Sequence, residues 1–466
     1  MVITSTAKIR LSFMVHIVCK KGLDLPFPRP EISEKILKED ASKHLSPKRI
    51  AIDITPFGSM RLKVCVDPGD EVAPGTPLVH DITKERTITS YVSGTVIEIQ
   101  RGLRRTPTRV IIEVAKNQKS PQALPLGPIE NLKKEALIEA LSQKGFFSEI
   151  RQRPFDLPAH PKFLPKSIFI QACTSAPGAT PIEACVMGME KEMQAGVQAL
   201  NLITPGNVHL VRSIASPNAF FCKPKPATPH TVEGPHPSGC PSLHIERIDP
   251  IKSPEDLVWT LNAKSLARLG AWLLHGSYSI ESYVHIFDPT FEKGTFIKTP
   301  LGAHIQELLD LAEVSAPEGY TLIGGDPLMG TKLTPEDFLP QGVNELYFLP
   351  KDDAREPLHF LRLKAKSFSN FNAYLKSNRP NFSTNKHGEE RAFVDGTIYD
   401  RVMPLKIPTM PLVKAVMAED FEKATQLGLL EVASEDFALP AFTCPSKIEM
   451  VEIIRAGLLK LADQSL

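Results

Sequence analysis

The sequence predicts a multidomain protein of mixed α/β and α+β class, and three observations carry that prediction. At 466 residues the chain exceeds one ordinary core, and roughly 150 residues per domain suggests about three compact units. Between Met60 and Gly102 short apolar alternations are separated by glycine turns, the pattern of a small barrel; between Lys166 and Pro250 apolar strand candidates alternate with a helix, the pattern of an open α/β layer. The expected units are an N-terminal segment 1–119 holding a barrel-sandwich module at about 60–102, a Rossmann-like α/β domain 120–260, a β-grasp-like (SLBB-type) domain 261–369, a linker 370–390 and a C-terminal helical domain 391–466.

Composition narrows the function classes. Hydrophobic residues make up 42% and charged residues 23%, so a soluble folded body is expected rather than a disordered or membrane-embedded one. Lysine plus arginine (54) balance aspartate plus glutamate (53), which removes the field of a nucleic-acid binder; no nucleic-acid partner is expected. Proline, at 42 residues, is about 9% of the chain against a usual ~5%, predicting many turns and connectors. Seven scattered cysteines, none two residues from the next, fit a reducing compartment; they argue against structural zinc and iron–sulfur clusters, so no metal ligand is assigned. No run of about 20 apolar residues is available to span a bilayer, and Ser167 to Met189 is broken by Pro177, Gly178, Pro181 and Glu183.

The elements follow in order. Lys8 and Arg10 precede an apolar run from Leu11 to Cys19 that is too short for a signal peptide and meets Lys20-Lys21, so Met14 to Cys19 reads as a first strand, with Met1 or Met14 as the start. In the barrel module Leu62, Val64 and Val66 alternate, Asp67-Pro-Gly-Asp70 turns, and Ser93-Gly94 leads into Val96, Ile97 and Ile99. This spacing resembles the biotinyl/lipoyl-type module. Lys84, in Thr83-Lys-Glu-Arg86, stands near the place of a prosthetic-group lysine but lacks the methionines that modifying ligases favour, so no covalent cofactor is expected. Leu132, Leu137, Ile138 and Leu141 have helical spacing, ending at Gly145. Strands are expected at 167–172, 199–203, 208–211 and 243–245, with a helix near Ile182 to Gln194.

The loops of this layer are where a nucleotide would bind. They contain neither Gly-x-Gly-x-x-Gly nor a Walker-type glycine loop, so the chain is expected to bind no cofactor of its own. Ser175 to Thr180 reads as a turn with Thr180 as N-cap. Gly234-Pro-His-Pro-Ser-Gly239 through His244 is the most distinctive loop: its glycines and prolines fix a rigid corner, while His236 and His244 supply possible donors. Trp259 to Gly276 has helical spacing, and Ile323 to Gly330 marks a glycine-rich strand end. Near the end Ser446-Lys-Ile-Glu449 reads as a capping box before a stripe of Val451, Ile454, Leu458 and Leu461.

Lys21-Gly-Leu-Asp-Leu25, Pro68-Gly-Asp-Glu-Val72, Arg153-Pro-Phe155, Gly234-Pro-His-Pro-Ser-Gly239, Gly324-Gly-Asp-Pro-Leu328, Tyr399-Asp-Arg-Val-Met-Pro404 and Glu435-Asp-Phe-Ala-Leu439 run in an order that resembles the NqrA family, one component of the bacterial Na+-translocating NADH:quinone reductase, almost end to end. Thr443-Cys-Pro445 resembles the close of a ferredoxin-type run, but Ala441 and Ala438 stand where further thiolates belong. The resemblance implies a peripheral subunit on the cytoplasmic face of the bacterial inner membrane, docked on integral-membrane and peripheral subunits of a six-subunit complex. That complex takes electrons from NADH to ubiquinone and exports Na+, with FAD, FMN and iron centres in other subunits. The chain would then help to bind ubiquinone, with His236 and His244 as the candidate donors and no catalytic residue of its own. The competing readings are a biotinyl/lipoyl-type carrier component and a subunit of a ferredoxin-linked electron-transport complex.

Overall fold

A computed structural model of the chain describes residues 13–29, 43–57, 61–83, 85–118, 129–276, 281–291, 294–352, 382–385 and 391–465. Lys8, Arg10, Leu11, Met60, Lys84 and the expected linker 370–390, apart from residues 382–385, lie outside the described residues.

The first strand, β1 (His16–Val18), does not join the barrel that follows it in sequence. The barrel is built from β2 (Arg49–Asp53), β3 (Leu62–Val64), β4 (Glu71–Val72), β5 (Pro77–Asp81), β6 (Thr87–Thr89), β7 (Gly94–Arg101) and β8 (Pro107–Val114). These form a four-stranded sheet, β2-β8-β7-β4, facing a three-stranded one, β3-β5-β6. The sandwich therefore extends beyond residues 60–102 at both ends, because Ile50, Ile52, Val110 and Ile112 complete its apolar interior.

Helix α1 (Lys134–Gln143) ends at Gly145, whose φ of 75° gives the left-handed turn. The α/β layer follows, with β9 (Arg151–Arg153), β10 (Leu157–Pro158), β11 (Ser167–Ala172), α2 (Glu190–Ile203), β12 (Asn207–Ser213), β13 (Thr228–Glu233), α3 (Pro241–Ile248), β14 (Val258–Asn262) and α4 (Ala263–His275). Its seven strands run β1-β13-β12-β11-β14-β9-β10, the first five parallel. Strand β11 is buried at every position, as expected of a parallel sheet covered on both faces. Helices α1, α2 and α4 cover one face through Leu137, Val197 and Leu266. The other is covered by α3 and by the C-terminal helices, including α6 (Thr409–Met417) and α7 (Met450–Ser465), through Leu243, Leu412 and Ile454. The C-terminal stripe is thus shared core. Helices α2 and α4 meet backbone to backbone at glycines: a Cβ on Gly270 would stand 1.6 Å from the Glu192 carbonyl oxygen.

The last sheet contains β15 (Glu281–Phe287), β16 (Gly294–Pro300), β17 (Tyr320–Gly324), β18 (Thr331–Leu333) and β19 (Glu345–Pro350), ordered β16-β15-β19-β17-β18, with β15 and β19 parallel at the centre and α5 (Ile305–Ala312) packed on it.

Several local expectations are corrected. Residues 199–203 close α2 and 243–245 lie in α3; neither is a strand. Trp259 sits on β14, and the helix after it starts at Ala263, where Asn262 Oδ1 accepts from Ser265 N–H at 2.9 Å. A division at residue 260 would cut that strand, so the layer continues through α4. The expected helix near Ile182 to Gln194 is split: Ile182–Cys185 is a single turn, and after Gly188 at φ 75° residues 190–194 open α2. Thr180 is no N-cap, since that turn begins after Pro181 and the Thr180 N–H donates to Glu345 Oε1 at 2.7 Å. Ser446 does not cap α7, which starts at Met450; its hydroxyl donates to the Ala392 carbonyl at 3.3 Å.

Candidate functional site

Parallel α/β sheets bind ligands at the carboxyl ends of their strands, where the chain order reverses. Here the chain leaves β11 toward β12 and β13, then returns to β14 on the other side, so the reversal lies between β11 and β14. The loops opening there are 173–181 and 234–240. A strap of the chain's own residues, Cys19 to Arg29, lies across them. Cys19 N–H donates to the Glu233 carbonyl at 2.8 Å, Leu23 N–H to the His236 carbonyl at 2.8 Å, and Gly22 N–H to the Arg401 carbonyl at 3.1 Å. His236 N–H donates to Asp24 Oδ1 at 3.0 Å. The approach requires glycine on both sides: a Cβ on Gly22 would stand 2.1 Å from the His236 oxygen, and one on Gly234 would stand 2.1 Å from the Cys19 oxygen. Farther on, Phe27 packs among Phe291, Tyr347 and Phe382 at centroid distances of 5.2, 5.1 and 4.8 Å, and its ring rests on Gly178. The loop of His236 is the rigid corner expected, and the strap is what it holds.

Within this corner the two histidines differ. His244 Nε2–H donates to the Ser238 carbonyl at 2.8 Å, which places its single neutral-state proton there and leaves Nδ1 as a bare acceptor without a partner among the described residues. His244 therefore cannot donate to a ligand. His236 Nδ1 lies 3.1 Å from the Ser175 hydroxyl, which accepts from Gly239 N–H at 2.8 Å. His236 Nε2 is buried without a partner among the described residues, and it is a donor in the tautomer in which Ser175 donates to Nδ1. Burial depresses both imidazoles to about 4, so both are neutral at pH 7.

Burial pushes the Cys19 thiol up to about 11, Cys173 to about 12 and Cys240 well above its ordinary value, which makes all three poor nucleophiles. Among the described residues no three His, Cys, Asp or Glu side chains gather as a metal site. Cys444 is buried, with its sulfur 3.1 Å from the Tyr399 hydroxyl.

Sequence reasoning missed a second histidine pair. Val15 N–H donates to His230 Nδ1 at 3.0 Å, so His230 carries its proton on Nε2 and donates it to His209 Nδ1 at 2.9 Å. Burial depresses these to about 3 and about 4. Both strands carry continuous buried runs rather than an alternation, so no sequence period marked the pair.

An open cleft lies elsewhere, where the barrel, the α/β layer and the five-stranded unit meet. One part, about 560 Å3 including its mouth, has apolar walls from Ile52, Phe57, Ile88, Tyr91, Leu301 and Leu339, with Lys144, Ser148 and Gln341 as polar groups. A second part, about 720 Å3 with the open solvent at its mouth counted in and about 220 Å3 without it, shares Ser148, Glu149, Leu301 and Gln341 and adds Arg151, Lys264 and Arg268. Glu149 and Arg268 form an almost buried ion pair at its floor, and Glu149 Oε2 also accepts from the Ser265 hydroxyl at 2.6 Å. Tyr91 ties the barrel to the five-stranded unit by donating to the Leu301 carbonyl at 2.9 Å, and burial raises its phenol far above the ordinary value. Neither His236 nor His244 lines this cleft.

Two family models match the chain: the NqrA N-terminal barrel-sandwich hybrid domain over residues 17–115 and the NqrA second alpha/beta domain over residues 132–278. The corresponding Na(+)-translocating NADH-quinone reductase subunit of Chlamydia caviae is 33% identical over 470 aligned positions, covering 97% of this chain and 98% of its own. The protein of the same name from Rhodopirellula baltica is 30% identical, covering 94% of this chain and 96% of its own. A solved NAD+-reducing nickel–iron hydrogenase aligns at 14% identity and TM-score 0.34 over 51% of this chain and 52% of its own, too slight a likeness to carry weight.

Proposed function

The chain belongs to the NqrA family of Na+-translocating NADH-quinone reductase subunits, and from that premise we propose that it is a peripheral subunit that contributes to ubiquinone binding and to docking within that complex. NADH, FAD, FMN and the iron centres belong, on this reading, to the other subunits, including the integral-membrane ones, and the chain sits on the cytoplasmic face of the inner membrane. Among the described residues no helix is long and apolar enough to cross a membrane. We read the barrel as an unmodified lipoyl-like packing module and the five-stranded unit as an SLBB-type β-grasp.

The observation that carries the quinone assignment is the cleft. Quinone recognition needs an apolar slot and one or two donors aimed at oxygens that gain charge on reduction. The Ile88, Tyr91 and Leu339 walls offer the slot; Lys144 and Gln341 offer donors. The crevice of the α/β layer is by contrast covered by the strap, which supports a chain that lends surfaces rather than a cofactor. A second reading keeps His236, whose buried Nε2 has no partner among the described residues; it requires the strap to lift.

Gln341 is half-buried and lines both parts of the cleft, so Gln341→Trp fills it from the rim. In the assembled complex this variant should raise the KM for ubiquinone several-fold and leave NADH oxidation by an artificial acceptor unchanged. An unaltered quinone KM removes the cleft from the account.

A further inference from the structure

The hairpin joining β7 to β8 ends in a short exposed finger, Arg101-Gly-Leu-Arg-Arg105, only a few residues past Thr108, whose carbonyl still accepts from Ile54 N–H at 2.8 Å. Leu103 is 92% exposed, the most exposed of the large apolar side chains described. Arg101, Arg104 and Arg105 form no ion pair among the described residues, and the nearest acids along the two strands, Glu98 and Glu113, lie back toward the barrel. Arg104 and Arg105 both hold left-handed backbone, φ 54° and 59°. Glycine or asparagine adopts that conformation far more cheaply than arginine does, so folding alone does not select arginine at either position. The Arg101 guanidinium closes the finger from within by donating to the Arg105 carbonyl at 3.1 Å.

We infer that this finger is a membrane-surface contact, in which Leu103 enters the headgroup layer of an anionic bilayer while Arg104 and Arg105 bind lipid phosphates. Shape decides between a lipid and a protein partner. A convex tip of five residues offers far less than the roughly 800 Å2 per side of a stable protein interface, whereas a single apolar side chain ringed by cations suits an interface only one side chain deep. Arginine also keeps its charged head among phosphates while its stem lies along apolar surface. The contact is independent of the quinone cleft.

Both native tryptophans, Trp259 and Trp272, are buried, so Leu103→Trp in the full chain gives a reporter at the tip. Its emission should shift to the blue and be quenched by brominated lipid on vesicles of phosphatidylglycerol mixed with phosphatidylcholine at low salt, and should not change on phosphatidylcholine alone. Adding Arg104→Asn and Arg105→Gly, which suit the left-handed turn, should weaken partitioning about fivefold per charge, about 25-fold for the pair, and flatten the salt dependence. No shift on the anionic vesicles, or the same shift after both charges are removed, overturns the inference. So does a photo-crosslinker at position 103 in the assembled complex that labels an acidic protein surface instead of lipid.

Discussion

Gly178→Ala tests whether the strap is seated on the crevice, because its cost divides into two separable parts. Gly178 has φ +70°, so any L-residue there meets a backbone penalty of roughly 1–2 kcal/mol. Its added Cβ would also stand 2.7 and 2.9 Å from Cδ1 and Cε1 of Phe27, a clash with a ring held on its other sides. Overpacking of that kind costs roughly 1–3 kcal/mol. Phe27→Ala alone should cost about 3 kcal/mol, the low end for a buried phenylalanine, because its cage is a small satellite cluster. In the double variant the clash vanishes and the backbone penalty stays, which predicts a coupling of roughly 1–3 kcal/mol. A chain of several units has no single unfolding free energy, so the readout is hydrogen exchange at the amides of Gly22 and Leu23, bonded to the Arg401 and His236 carbonyls. Opening by about 3 kcal/mol in Phe27→Ala speeds their exchange roughly a hundredfold. If Gly178→Ala has the same effect with and without Phe27, the ring does not rest on that turn and the strap reading fails.

Other outcomes follow from the buried polar groups. His209, His230, His236 and His244 are depressed to about 4, 3, 4 and 4, while unfolded imidazoles protonate near pH 6.5. Their contribution to stability is whole above about pH 6.5 and is lost as pH falls toward 4, at up to about 1.4 kcal/mol per pH unit for each. Asp326 and Glu435, which burial raises to about 6 and about 8, act with the opposite sign. The sum is therefore best resolved by difference: His209→Gln, which can still accept from His230, should lose less hydrogen-exchange protection at the amides of β12 and β13 than the parent between pH 6.5 and 4, after correction for intrinsic rates, and parallel profiles would contradict this. Arg153 is 1% exposed, its Nη2 donates to Ser242 Oγ at 2.6 Å, and it lowers the carboxyl of Asp436, which burial raises. Arg153→Met should leave the Asp436 carboxyl costlier to ionise and should expose residues 391–465 to protease, with Asp436→Asn in the same chain restoring much of the resistance; protection unchanged in the single variant argues against the coupling.

What the sequence made legible was whatever is written in local period and punctuation. The alternation before and after Asp67-Pro-Gly-Asp70 marked the barrel, and the apolar runs of β11 and β12 marked the parallel layer. Short apolar runs cannot be told from helix by period alone, which is why Ala199 to Ile203 and Leu243 to Ile245 read as strands yet close or occupy helices. Ser446 and Thr180 carried capping chemistry, but the Ser446 hydroxyl goes to the distant Ala392 carbonyl, and Thr180 is held through its backbone N–H by Glu345 while its hydroxyl has no partner among the described residues. The histidine corner was visible as irregular backbone. That it grips Gly22 and Leu23, more than 200 positions earlier, is a long-range fact with no local trace. The cleft was illegible for the same reason, since Ile88, Lys144, Leu301 and Leu339 come together only when three units pack.

Whether this chain lends a quinone slot while the crevice of its α/β layer stays covered is decided by photo-crosslinking a ubiquinone analogue in the assembled complex and mapping the labelled peptides. Label is expected within residues 51–57, 88–91, 144–149 or 339–341, suppressed by excess ubiquinone. Label confined to the loop carrying His236, or absent from this chain altogether, would contradict it.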